Sequence, residues 1–148
     1  MKLCIACSAG GHLSEIQQVQ DYYKKHPYFF ISFRRFDSED LAKKNKVYFV
    51  ADPKRNPLDL IRNFLQSFFI LLKEKPDAVI STGAGAALPA LFIAALMGKK
   101  TVFIESFCRI NSPSLSGRIA YRFAGLFLVQ WKQNLKFFPK AKYKGAVF

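Results

Sequence analysis

The sequence predicts an α/β protein built on a Rossmann-like, doubly wound parallel sheet. Three observations carry this. Short apolar, β-rich runs alternate with segments of helical period along the chain. The runs are almost continuously apolar, as strands covered on both faces are. Glycine turns stand where the first and fourth runs hand over to helices, the junctions at which open α/β sheets bind ligands.

Strands are expected at Leu3–Cys7, Tyr28–Phe33, Val47–Val50, Ala78–Ser81, Thr101–Ile104 and Leu126–Gln130, with helices between them over 12–25, 38–44, 57–75, 85–97, 114–123 and 132–138. The helix over 57–75 has a clear start: Pro57 suits the first turn and Asp59 complements the helix dipole. Its Asp59, Arg62, Asn63, Gln66 and Ser67 form one polar stripe at helical spacing, and Leu60, Ile61, Phe64, Leu65, Phe68, Phe69, Leu71 and Leu72 a very wide apolar face. Two readings of that face stand: a core face, or a core face that also touches a membrane or a partner. With no repeat, low-complexity segment or linker, residues 1–148 read as one domain.

Composition narrows the function. Hydrophobic residues make up 51% and aromatics 16% of the 148 residues, enough for a packed core. No run reaches the roughly 18 apolar residues of a spanning helix; the longest candidate, Ala84 to Met97, is too short and contains Pro89. A strand begins at Lys2 and nothing before it resembles a secretory signal, so a cytoplasmic location with three reduced cysteines is expected. The net charge of +13 favours a polyanion: nucleic acid, an anionic membrane, or a phosphorylated substrate. The basic residues follow no helix-turn-helix, zinc-finger or aromatic-platform pattern, so nucleic acid is not the expected partner.

Chemistry concentrates in three stretches. In "SAGGHLSE", Gly10 and Gly11 allow a tight turn and close approach of a ligand, and His12 stands at a helix start facing the expected crevice. It can act as a base toward a sugar hydroxyl, donate to a phosphate, or simply cap the turn. In "STGAGAALPA", Gly83 and Gly85 form a second turn that either walls a phosphate site or packs a small-residue helix on the sheet. In the third, Glu105 and Ser106 end the fifth strand, Arg109 follows in a loop, and Ser114 starts a helix. Glu105 and Arg109 fit an ion pair, or the binding of a sugar hydroxyl and a phosphate. Gln130 and Trp131, at the end of the sixth strand, suit a sugar face or plain packing. The glycine spacing is not a dinucleotide fingerprint, and Arg34 and Arg35 after the second strand leave only an incomplete case for NADP. Cys4 and Cys7 share a strand three residues apart, so they point to opposite faces and no metal site is expected.

Together "SAGGHLSE", "STGAGAALP", "IESFCRINSPSLSGRIAYRFAGLFLVQW" and "FPKAKYKGAVF" resemble the membrane-associated subunit of two-piece glycosyltransferases. In eukaryotes this is the subunit of the UDP-GlcNAc transferase that adds the second sugar in asparagine-linked glycosylation; in bacteria it is the similar subunit encoded with capsule and exopolysaccharide genes. The likeness runs across essentially the whole chain, and the third stretch is its most specific part. It implies the N-terminal, acceptor-side half of a GT-B glycosyltransferase. A separate small subunit would hold the UDP-sugar, with no other cofactor and no metal. The pair would act on a polyprenyl-diphosphate-linked sugar at the cytoplasmic membrane face, this chain being peripheral there. His12 or Glu105 is then the candidate base of an inverting transfer. Gly10, Gly11, Gly83, Gly85, Arg109 and Ser114 would serve the acceptor diphosphate, and Gln130 and Trp131 the sugar. The same resemblance permits a scaffold that only anchors and activates its partner. Two features of the residues agree with it: 148 residues supply one Rossmann-like domain where a whole GT-B enzyme needs two, and no nucleotide fingerprint is complete.

Overall fold

In a computed structural model of the protein, which describes residues 1–147, seven strands form one sheet in the order β3-β2-β1-β4-β5-β6-β7. They are β1 (Leu3–Cys7), β2 (Tyr28–Ser32), β3 (Val47–Phe49), β4 (Ala78–Gly83), β5 (Lys100–Ile104), β6 (Leu126–Val129) and β7 (Lys142–Tyr143). Every neighbouring pair is parallel. The order reverses between β1 and β4, so the switch point lies where both glycine turns leave the sheet.

Alternation along the strands divides the core. Cys4, Ala6, Phe29, Ile31, Val79, Phe103 and Phe127 face one layer, under α4 (Pro57–Glu74), α5 (Leu88–Leu96) and α6 (Leu115–Ala120). Leu3, Ile5, Cys7, Phe30 and Ile80 face the other, under α1 (Gly11–Gln17), α2 (Gln20–Tyr23) and α3 (Phe36–Ala42). Cys4 and Cys7 thus lie on opposite faces, as the strand period requires. Burial pushes the Cys4 thiol up and the Cys7 thiol up to about 12, so neither supplies a thiolate at neutral pH.

Several boundaries differ from the sequence reading. The helix expected over 12–25 breaks at Val19, which leaves helical geometry (φ −100°, ψ 19°) and packs into the core, giving α1 and α2. The segment expected as a helix over 132–138 is a single 3-10 helix, Lys132–Lys136. Strand β7 was not anticipated: its two residues are exposed and carry no apolar pattern, and parallel pairing with β6 alone defines it.

Helix α4 is turned inside out relative to its hydrophobicity. Asn63, Gln66 and Ser67 of the polar stripe face the protein, while Arg62 of the same stripe is exposed. Asn63 is fully buried and donates to the carbonyls of Ala51 (2.7 Å) and Ala86 (3.1 Å); Ser67 donates to Asn63 (3.0 Å), and Gln66 accepts from the Ala51 amide (2.7 Å). At the helix end buried Glu74 accepts from Lys2 and Lys46, both at 2.6 Å, and from the Tyr48 hydroxyl. Leu71 is the one large apolar residue of the helix that is fully buried, with Phe64 and Ile70 packed partly against the core. Leu58, Ile61, Leu65 and Phe69 are 75%, 58%, 55% and 65% exposed, and Leu60, Phe68 and Leu72 are exposed beside them.

The α1–α3 layer stops short of β5 and β6. An apolar groove of about 390 Å³ remains there, floored by Ile80, Val102, Ile104, Leu126 and Leu128 and edged by Tyr22.

Candidate functional site

A cleft of about 770 Å³ opens at the carboxyl ends of β1, β4 and β5. Of the residues singled out for chemistry from the sequence, Gly11, His12, Gly85, Ser106, Arg109 and Ser114 line it. Cys7 pairs with Gly83 across the two central strands, after an irregularity in register between Ala6 and Cys7, which sets the two glycine turns side by side.

Two of the glycines are required by geometry. Gly10 has φ +89° and Gly83 φ +104°, the left-handed half of the map. A Cβ on Gly83 would stand 3.2 Å from the Phe103 ring, 3.3 Å from Ser116 Oγ and 3.6 Å from His12 Cε1, so this glycine lets His12 and Ser116 come together. The Thr82 hydroxyl donates to the His12 carbonyl (2.9 Å), and the Gly10 amide donates to the Asp37 carboxylate, so both sides of the first turn are tied down. His12 itself is half-buried at the cleft wall, and its Nδ1 has no hydrogen-bond partner.

Glu105 occupies a different position from His12. It is 1% exposed, lies behind the cleft wall, and accepts from two backbone amides, Ser106 (3.0 Å) and Ser114 (3.3 Å). Ser114 caps α6 by accepting from the Gly117 amide (2.8 Å). Gln130 is buried and donates to the Glu105 carbonyl (3.0 Å); Trp131 donates to the Phe107 carbonyl (2.6 Å) and packs on the Phe107 ring at 5.0 Å; Asn134 donates to the Arg109 carbonyl. These three side chains hold the loop after β5 from behind rather than lining the cleft. Glu105 and Arg109 form no ion pair: the carboxylate is held by amides and the guanidinium is exposed.

Sequence reasoning missed Glu15 and Arg55. Glu15 follows His12 by three residues, so the helical spacing that places both on one face of α1 was a usable signal. It lines the cleft, 4% exposed, and accepts from the Ser106 hydroxyl (2.8 Å) and the Phe107 amide (3.1 Å) through Oε1. Arg55 also lines the cleft, in a loop where it and Lys54 both take positive φ, 68° and 38°, a backbone region that is strained for non-glycine residues and is enriched at ligand sites. Arg55 and Arg109 therefore give the cleft two exposed guanidinium groups.

Such a sheet, with its cleft at the switch point, defines a class of fold: a Rossmann-like, doubly wound domain. The expected equivalence to the N-terminal half of a GT-B glycosyltransferase agrees with the structural comparisons. MurG of Acinetobacter baumannii superposes with a TM-score of 0.73 at 15% identity, over 90% of this chain and 43% of that one. The UDP-N-acetylglucosamine 2-epimerase of Rickettsia bellii does so with a TM-score of 0.79 at 11% identity, over 99% and 45%. Residues 53–147 match the family of oligosaccharide biosynthesis proteins described as Alg14 like, and the chain belongs to that family. The mouse UDP-N-acetylglucosamine transferase subunit ALG14 is 38% identical over 87 residues, 55% of this chain and 40% of its own length. The Schizosaccharomyces pombe protein of the same name is 38% identical over 77 residues, 49% and 37% respectively. The chain thus spans about two fifths of the length of the curated relatives it matches.

Proposed function

We propose that this chain is the acceptor-side subunit of a two-component inverting glycosyltransferase. It would move a sugar from a UDP-sugar to a polyprenyl-diphosphate-linked saccharide in surface-polysaccharide synthesis. The observation that carries the proposal is the cleft: a glycine-edged cavity at the switch point of the sheet, lined by His12, whose Nδ1 has no hydrogen-bond partner, and by the exposed Arg55 and Arg109. Arg55 and Arg109 suit the diphosphate of the acceptor. The acceptor hydroxyl attacks the anomeric carbon as the bond from that carbon to the UDP oxygen breaks, and the hydroxyl proton passes to His12. Glu105, saturated by amides, keeps the loop after β5 in place. The donor sugar is held mainly by the companion subunit, and the chain's own chemistry calls for no metal.

Two apolar surfaces suit the two partners this reading needs. The outward face of α4 continues to the cleft mouth through Leu60, Leu88, Leu115 and Ile119. Exposed Arg62 and Lys73 on α4 and Arg118 and Arg122 near α6 flank it. An apolar face rimmed by cations favours an anionic bilayer, here the inner face of the plasma membrane, and lets a prenyl tail pass from lipid to cleft. The groove over β4–β6 has Lys100 as its one basic side chain among the described residues and suits a protein element of the companion.

The test is transfer from UDP-GlcNAc in the presence of the companion subunit and vesicles. His12→Ala is expected to lower turnover by about 10²–10⁴-fold, with the acceptor KM little changed. Full activity in both His12→Ala and Glu105→Ala would instead make the chain an anchoring scaffold without a catalytic group.

A further inference from the structure

The two arginines that follow β2 have a cavity of their own. It measures about 510 Å³ and is lined by Phe33, Arg34, Arg35, Val50, Asp52 and Lys54, just past the carboxyl ends of β2 and β3. Three cations thus meet one carboxylate. All three are exposed, so a ligand in solution reaches them. The Arg34 guanidinium lies 4.5 Å over the Phe49 ring and donates one N–H to Glu39 at 2.9 Å, which fixes the fork and leaves its other donors free. The Arg35 head rests on the first glycine turn, its Nη1 3.3 Å from where a Cβ on Gly10 would stand. Asp37 spends Oδ2 on the Gly10 amide, and its Oδ1 is 4.0 Å from Arg35 Nε, too far for a hydrogen bond. No ion pair among the described residues reaches Lys54, whose φ of 38° is costly for a lysine. The loop is divided there: Lys54 lines this cavity, while Pro53 and Arg55 line the cleft.

We propose that Arg34, Arg35 and Lys54 form a second anion site that takes a phosphomonoester. It is separate from the cleft, since the two cavities share no lining residue, and it does not depend on the glycosyl-transfer reading. Two planar guanidinium forks and an ammonium suit a tetrahedral group with several free oxygens. A phosphomonoester offers three such oxygens and about 1.5 to 2 negative charges at neutral pH; a diester offers fewer of both. The surplus of cations over Asp52 therefore favours the monoester. The same phosphate chemistry is carried by a soluble phosphate ester and by the headgroup of phosphatidic acid.

The test is a titration of the full chain with inorganic phosphate, followed residue by residue through backbone amide NMR shifts. Saturable shifts are expected at Arg34 and Arg35, read apart from any at Gly85 and Arg109, which report the cleft. Arg35→Gln combined with Lys54→Gln should weaken the Kd read at Arg34 at least about tenfold, the scale of two lost charge-assisted contacts, and leave the response at Arg109 in place. Lys24→Gln with Lys25→Gln removes the same charge before β2, at the other end of that strand, and should change the Kd less than about twofold. Co-sedimentation with phosphatidylcholine vesicles carrying phosphatidic acid or, at matched charge, phosphatidylglycerol identifies the source. A preference for phosphatidic acid that the Arg35–Lys54 variant loses assigns a lipid headgroup; saturable phosphate binding without that preference assigns a soluble ester. Lys54→Gln alone, at an exposed side chain with no ion pair, should weaken binding in the same direction and serves if the double variant does not fold. Shifts at Arg34 that never saturate, or that both double variants weaken alike, overturn the proposal. Absence of sugar transfer with the companion would refute the proposed function and leave this site standing.

Discussion

Gly117 leaves room for Glu105. A Cβ at residue 117 would overlap Glu105 Oε2 and stand 2.9 Å from both its Cδ and Ser114 Oγ. The glycine is needed for space alone, since its φ is not in the positive range. Gly117→Ala is therefore expected to displace Glu105 from the Ser106 and Ser114 amides, lowering stability by about 1–3 kcal/mol in urea unfolding. Unchanged stability would mean that the loop after β5 does not depend on this carboxylate.

Helix α4 gives opposite expectations for its two faces. Leu65→Ser combined with Phe69→Ser removes exposed apolar area, so folding stability should stay within about 0.5 kcal/mol. Partition onto anionic vesicles should fall at least about tenfold, given roughly 1.5–3 kcal/mol per fully buried large side chain. Asn63→Leu, a change that adds hydrophobicity, should destabilise by about 2–3 kcal/mol because it orphans the Ser67 hydroxyl and two buried carbonyls. Vesicle co-sedimentation and thermal melting check the pair.

Acid sensitivity should centre on Glu74. Hydrogen bonds from Lys2, then Lys46 and Tyr48, lower its carboxyl from the usual value near 4.5 to about 2. A carboxyl lowered in the folded state stabilises the fold above its unfolded value and loses that contribution as the pH falls through its folded value. Melting temperature should thus drop between about pH 4.5 and pH 2, and Glu74→Gln should flatten that limb while lowering stability at pH 7 by about 2 kcal/mol. An equally steep limb in the variant would assign the acid sensitivity elsewhere.

The groove over β4–β6 should be the companion's seat. Val102→Asp and Leu126→Asp place a charge on its half-buried floor and are expected to abolish co-purification with the companion while vesicle binding persists. Retained co-purification would move that interface elsewhere.

The central strands were legible because burial on both faces writes a continuous apolar run, as in Leu3–Cys7 and in Ala78–Ile80 at the start of β4. The glycine turns were legible because their residues are forced, Gly10 and Gly83 by positive φ. What escaped depends on tertiary pairing. Lys142–Tyr143 is a strand only because β6 offers an edge. The direction of α4 could not be read from its stripe, since periodicity separates two faces without saying which one the protein covers. Burial of Asn63 and Ser67 decides it through bonds to residues 51 and 86. At the site, Glu105 carries the more conspicuous charge, but long-range bonds from Ser106, Phe107 and the end of β6 separate the roles. They leave Glu15, not Glu105, lining the cleft.

The most direct test is sugar transfer from UDP-GlcNAc to a prenyl-diphosphate acceptor, measured for this chain alone, for the companion subunit alone, and for the two together. Turnover is expected only in the mixture, and it should disappear when His12 is replaced by Ala. Turnover by this chain with no companion would contradict the half-enzyme reading outright.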